Sequence, residues 1–245
     1  LHMKRVKSIV AMLLSMVMLL STTIMTFADS SIANVNVVMI EDSSQKRIAE
    51  ASDEFYTYRT IYDKDANTVQ VIRIEKKTGE ILNGDEVLID GVGGDTGTSV
   101  LAATLTENTF TNYEYTKWYG SRNTWELRRP DGSLTGRYYF QTYEVSQNAS
   151  YIEKFKSAVD AINVQEGQII LSFGTSGLAY FAAAAAGAGA IFTGGTLSAA
   201  AWGSILAAYG ATTAHIALMM NYDSNCKRAY DSYMEVFTKS PEIFY

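Results

Sequence analysis

GQIILSFGTSGLAYFAAAAAGAGAIFTGGTLSAAAWGSILAAYGATTAHIALMMNY, residues 167–222, contains no Asp, Glu, Lys or Arg. The turn-forming Thr193-Gly194-Gly195-Thr196 divides it into two apolar segments, 168–192 and 197–221. Each holds about 25 residues, and at about 1.5 Å per residue such a helix crosses a hydrocarbon core about 30 Å thick. The joint is short, so the segments must fold back on each other as an antiparallel helical hairpin. A central apolar Ala/Gly-rich hairpin over 168–221 is therefore predicted within a helical region, 150–245.

Small residues line both segments. Ala182, Ala186 and Ala190 form one four-residue ridge, and Ala199, Gly203, Ala207 and Ala211 form another. With Gly194 and Gly195 of the joint, these are the candidate helix-packing and membrane-insertion residues. In lipid, where the hydrophobic effect no longer drives helix pairing, such ridges let backbones approach and gain van der Waals contact. They serve equally for close packing in water. A constitutive anchor is dominated by Leu, Ile, Val and Phe; here Ala and Gly prevail, interrupted by Ser, Thr, Tyr and His215. Two readings stay open: segments stored in a soluble fold that rearrange at a bilayer, and the buried core of an ordinary secreted domain. Ser204 is expected to face water in the soluble state. His215 reads as a pH-sensing or pore-facing group, or as a neutral, hydrogen-bonded core histidine.

The run is flanked by two amphipathic helices. Ile152, Phe155, Val159 and Ile162 share a face of Ser150–Val164, and Tyr222, Cys226, Tyr230, Tyr233 and Phe237 share one of Asn221–Phe237. Upstream, 29–149 reads as β-rich with a mobile N-terminal segment, in which Ser44 would cap a short helix over Ser44–Asp53. Tyr56, Tyr58, Thr60 and Tyr62 alternate before the polar turn Asp63-Lys64-Asp65-Ala66-Asn67. Alternation resumes over Thr68–Ile74, a hairpin pattern followed by a short strand at Ile81-Leu82. A second β region over Thr109–Val145 turns at Pro130-Asp131-Gly132. Its aromatics, Tyr115, Trp118, Trp125 and Tyr139 among them, read as filling a sheet core; the alternative is a carbohydrate or receptor platform, for which these four are the candidate contacts. The fold class is α+β: antiparallel β hairpins followed by a C-terminal helical bundle.

Lys4, Arg5 and Lys7, the apolar Ser8–Ile24 and the small residues of Thr26-Phe27-Ala28 read as a secretory leader, 1–28. Its loss makes the remainder more acidic than the −6 of the whole chain. That acidity excludes phosphate-neutralising nucleic-acid binding and polybasic attraction to anionic lipid. Cys226 is the only cysteine, so the chain forms no internal disulfide; it reads as a small buried side chain or as an intermolecular thiol. Asp85, Glu86, Asp90 and Asp95 of the connector 83–99 miss calcium-loop spacing, and Gly91-Val92-Gly93-Gly94 is no dinucleotide fingerprint. No metal or cofactor is expected. Without a Gly-x-Ser-x-Gly elbow, His-Glu-x-x-His or a phosphate loop, catalysis is not expected.

Taken together, the leader Met3–Ala28, the hairpin Tyr62–Ile72 and the Ala/Gly-rich C-terminal third resemble the large, secreted, non-lantibiotic bacteriocins of Gram-positive bacilli, geobacillin-like proteins among them. The resemblance implies a secreted killer of related bacteria acting at the target cell membrane, with a membrane receptor and a cognate immunity protein as further partners. It supplies no catalytic residues. The acidic balance departs from the cationic surfaces of smaller membrane-active bacteriocins. The alternatives are a cell-envelope membrane protein with an extracellular β-rich binding module, and a soluble secreted binding domain.

Overall fold

A computed structural model describes residues 35–89, 104–131, 136–190 and 194–245. The expected leader, Asp90 and the connector glycines from Gly91 onward, Gly132 and Thr193 lie outside them.

The fold is α+β, with antiparallel sheets followed by helices. The first sheet has six strands. β1 (Val37–Asp42), β2 (Lys46–Ser52), β3 (Tyr56–Asp63), β4 (Thr68–Glu75) and β5 (Ile81–Asn83) lie in chain order, and β6 (Val87–Leu88) also pairs with β4. The polar turn between β3 and β4 forms as expected. Asp63 Oδ1 accepts the amides of Asp65 at 3.1 Å and Ala66 at 2.9 Å, and Asn67 takes a positive φ of 52°. The inner face of the sheet is the buried row Ala49, Ala51, Tyr58, Thr60, Val69 and Val71.

One expectation fails here. Ser44–Asp53 is not helical, and the described part of the N-terminal segment is not loosely docked: Lys46–Ser52 is strand β2, between β1 and β3. Two alanines suggest helix by propensity, but they stand two residues apart and both are buried. Pairing on both sides of β2 overrides the weak local preference.

The second sheet runs β11-β10-β9-β8-β7, from β7 (Thr104–Asn108), β8 (Glu114–Trp118), β9 (Thr124–Pro130), β10 (Arg137–Tyr143) and the C-terminal β11 (Ile243–Phe244). Tyr115 pairs with Leu127 and Leu127 with Phe140, placing three buried side chains in one cross-strand row. No β-strand was expected at 243–244; two residues carry too little pattern to be legible.

The helical elements are α1 (Ala149–Gly187), in which the non-helical Gly174 joins two helical stretches, α2 (Ala199–Tyr209) and α3 (Ile216–Lys239), so the first expected break moves from between Val164 and Gln168 to Gly174. The first amphipathic helix and the first apolar segment join, because the buried series Ile152, Phe155, Val159, Ile162, Glu166, Ile169 continues through Gly167 with spacings of three and four. An interior glycine costs only about 1 kcal/mol. On α3 the series Met219, Tyr222, Cys226, Ala229, Tyr233, Val236 has the same kind of spacing. The two stripes face each other as a coiled-coil-like seam. The expected face of α3 is thus shifted: Ala229 and Val236 replace Tyr230 and Phe237. Phe140 of the second sheet packs edge-on against Tyr233 at 4.8 Å and Phe237 at 5.4 Å, covering the seam.

Candidate functional site

The charge-free run occupies the C-terminal part of α1, all of α2 and the start of α3. Two glycines shape it. Gly174 stands inside α1 at φ 74°, ψ 176°, a conformation available to glycine that breaks the helical path. Gly210 ends α2 in the left-handed region at φ 99°, with its amide donated to the carbonyls of Ala207 at 2.9 Å and Leu206 at 3.1 Å. The second apolar segment is therefore not one helix of membrane-spanning length. It is an 11-residue helix, a short 3-10 turn at Thr213–His215 and the first turn of α3. At about 1.5 Å per residue, α2 is about 16 Å long, half of a hydrocarbon core. By length and composition alone α1 would cross a bilayer, yet Gly174 breaks its path and half of its most apolar window is buried inside the protein.

Beyond the kink, every residue from Gly177 to Ala185 is buried, as is every residue of α2 from Ala200 to Leu206. A helix apolar on all sides needs cover on all sides. β4 and β6 cover α1, while β1, β2 and β3 cover α2. The small ridges thus find different partners from those expected. A side-chain carbon at Gly203 would lie 2.7 Å from Val35 and 3.2 Å from Val37, so this glycine admits the β1 edge rather than α1. Ala51 of β2 packs on Ala200 and Ala201. Gly187 admits the backbone of Asp85, whose amide donates to the Gly187 carbonyl at 3.1 Å. α1 and α2 meet instead through aromatic groups. Tyr180 donates its hydroxyl to the Ile205 carbonyl at 3.2 Å, and its ring lies 4.9 Å from that of Tyr209.

Of the sequence-predicted site residues, Ala182 and Ala190 are buried, and Ala186, Ala199, Ala207 and Ala211 are half-buried. Gly194 abuts the ring of Tyr230 on α3, and Gly195 is half-buried beside it. Ser204 does not face water: it is buried, its hydroxyl 2.8 Å from that of Thr60 and donating to the Ala201 carbonyl at 2.9 Å. His215 is half-buried, its ring 4.7 Å from that of Phe173. Two of the candidate receptor aromatics are core side chains. Tyr115 is buried and donates to Asp160 at 2.8 Å, and buried Trp125 donates to Glu144 at 2.9 Å. Trp118 and Tyr139 are exposed, at 37% and 45%.

Sequence reasoning missed the two carboxylates that bracket the run. Glu166 is buried in the seam, where it accepts the amides of Phe110 at 2.6 Å and Thr111 at 3.1 Å. The hydroxyls of Thr111 at 3.0 Å and Tyr222 at 3.3 Å complete its shell. Burial outweighs these donors and pushes its pKa up to about 7. Asp223 is buried too and accepts the Leu197 amide at 2.5 Å, fixing the segment that leads into α2. Burial raises its pKa to about 6, with the Leu197 amide opposing the rise. The legible signal was their position: each is the first charge outside the run. Burial also raises the thiol pKa of Cys226 well above its ordinary value, which disfavours the thiolate nucleophile. Among the described residues, no three His, Cys, Asp or Glu side chains gather in a way that would hold a metal ion.

Compared with protein-family models, curated proteins and solved structures, the chain matches none.

Proposed function

We propose that this chain is a secreted antibacterial protein of the bacteriocin kind, which carries an apolar helical pair folded away in its core and releases it into the membrane of a target cell. One observation supports the reading above the rest: α2 and the C-terminal part of α1 are uncharged and enclosed on nearly every side, and positive-φ glycines stand at 174, 189, 194 and 210. Glycine at those joints lets the backbone change course without a side-chain penalty. Once displaced from the first sheet, the run has no charged side chain to exclude it from hydrocarbon. The leader and the resemblance described above support secretion and the target-membrane partner; a receptor and an immunity protein belong to the same proposal.

The test is release of a self-quenched dye from liposomes by the folded chain 29–245, together with depolarisation of sensitive bacilli. Both are expected. A folded preparation that does neither, over a range of lipids and pH, removes the mechanism. A second reading, a soluble secreted binding domain, is favoured by the exposed aromatics Trp118, Tyr138 and Tyr139 on the second sheet and Tyr119 just past the end of β8. It requires a ligand lost on their replacement and no dye release.

A further inference from the structure

The charge-free run is not wholly enclosed. Leu171 is 89% exposed and Ile170 37%, just before the kink at Gly174. Leu171 is the most exposed large hydrophobic side chain among the described residues. Phe173 then turns inward, its ring 6.0 Å from that of Tyr209, whose hydroxyl donates to the Phe173 carbonyl at 3.3 Å. This contact sets the α1 elbow beside the link that follows α2, where Thr212, Thr213 and Ala214 are exposed. Segments some forty residues apart thereby meet at one end of the described fold, neither carrying a charged side chain, with Gly174 and Gly210 both located there. The charges at its edge are already paired: Arg47 with Asp42 at 2.7 Å and with the Tyr209 carbonyl at 2.8 Å, and Lys64 with Asp42 at 3.5 Å.

We propose that this end is the surface by which the folded protein docks on a lipid bilayer, with Leu171 and Ile170 entering the boundary between headgroups and acyl chains. The inference rests on the membrane reading above and adds the place of first contact. Charge does not oppose this occupant: the chain carries a net −6 and is repelled by anionic surfaces, and neither segment at this end adds a charged side chain to that repulsion. Area disfavours a second copy: two large apolar side chains fall far short of the roughly 800 Å² per partner that a stable interface buries. A bilayer needs no complementary partner surface, and a few apolar side chains suffice for weak, reversible attachment.

The experiment is flotation of the full folded protein with phosphatidylcholine vesicles, comparing wild type, Leu171→Asp and, as control, Phe55→Asp at the exposed β2–β3 turn. Both replaced side chains are exposed, so circular dichroism and melting should be unchanged. Wild type and Phe55→Asp are expected to float, with Leu171→Asp bound about tenfold more weakly or less. Leu171→Asp binding as wild type overturns the docking surface and leaves the insertion reading standing; wild type that binds no vesicle of any composition overturns both. Flotation only with phosphatidylglycerol vesicles places the contact on charged groups and overturns the proposal. So does a wild-type dimer in sedimentation that Leu171→Asp dissociates, because a second copy then covers this end.

Discussion

Glu166 and Asp223 hold the run at its two ends, and their titration sets a direction for stability. Burial raises both folded-state pKa values, to about 7 and about 6, above the ordinary carboxylate range. The folded protein therefore binds protons that the unfolded chain has released. Stability from these groups is fully present below about pH 4 and is lost as pH rises through 6 to 7. A tenfold gain in proton affinity corresponds to about 1.4 kcal/mol, so Glu166 alone accounts for on the order of 3 kcal/mol. The melting temperature should be higher at pH 5 than at pH 8, and Glu166→Gln should flatten that slope, as thermal melts at the two pH values would show. A wild-type protein more stable at pH 8 would contradict the assignment. The sign also bears on release: mild acid tightens the stored form at these two groups, so they do not provide an acid trigger.

At the scale of elements, α2 is held by close approach to a sheet rather than to a helix. Gly203→Leu should force Val35 and Val37 outward and destabilise the fold by about 1–3 kcal/mol, the usual penalty of overpacking. Amide exchange should then quicken in β1 rather than in α1; faster exchange confined to α1 would restore the hairpin packing read from the sequence. Gly187→Ala should act likewise against Asp85, because its new carbon would lie 2.6 Å from that backbone oxygen. A full-strength melt for that variant would show that the β5–β6 connection yields easily. These contacts mark where the sequence stops being legible. The alternation of Tyr56–Tyr62 and Thr68–Ile74, the stripe from Ile152 to Ile162 and the α+β class follow from periodicity, since one face of each element is buried. The partner of a small-residue ridge does not, because Gly203 permits close approach without specifying to what. Helix boundaries were lost for a related reason. Gly167 and Gly210 look alike in sequence, and only packing determines that the first is carried through a helix while the second ends one. A core place for the aromatics of Thr109–Val145 was legible as a group, but not that Tyr115 and Trp125 take it while Trp118 and Tyr139 stay exposed, since an aromatic on a strand suits either face.

For the whole molecule, the membrane reading requires the first sheet and the apolar helices to part. The buried contact between Thr60 on β3 and Ser204 on α2, with hydroxyl oxygens 2.8 Å apart, joins the two across the interface that must open. Replacing both, Thr60→Cys with Ser204→Cys, places two sulfurs at a separation that a disulfide can bridge with small adjustment. The native Cys226 is buried and does not compete. The oxidised double variant should retain the wild-type circular dichroism spectrum and melt at a higher temperature, because the cross-link closes a long loop in the unfolded chain. If α2 leaves the first sheet on insertion, the oxidised form should release less than about a tenth of the dye released by wild type, and dithiothreitol should restore the difference. The reduced form controls for loss of the two hydroxyls. Permeabilisation that persists in the fully oxidised protein would mean that α2 stays on its sheet, and the stored-helix mechanism would fail even if the protein still killed cells by another route.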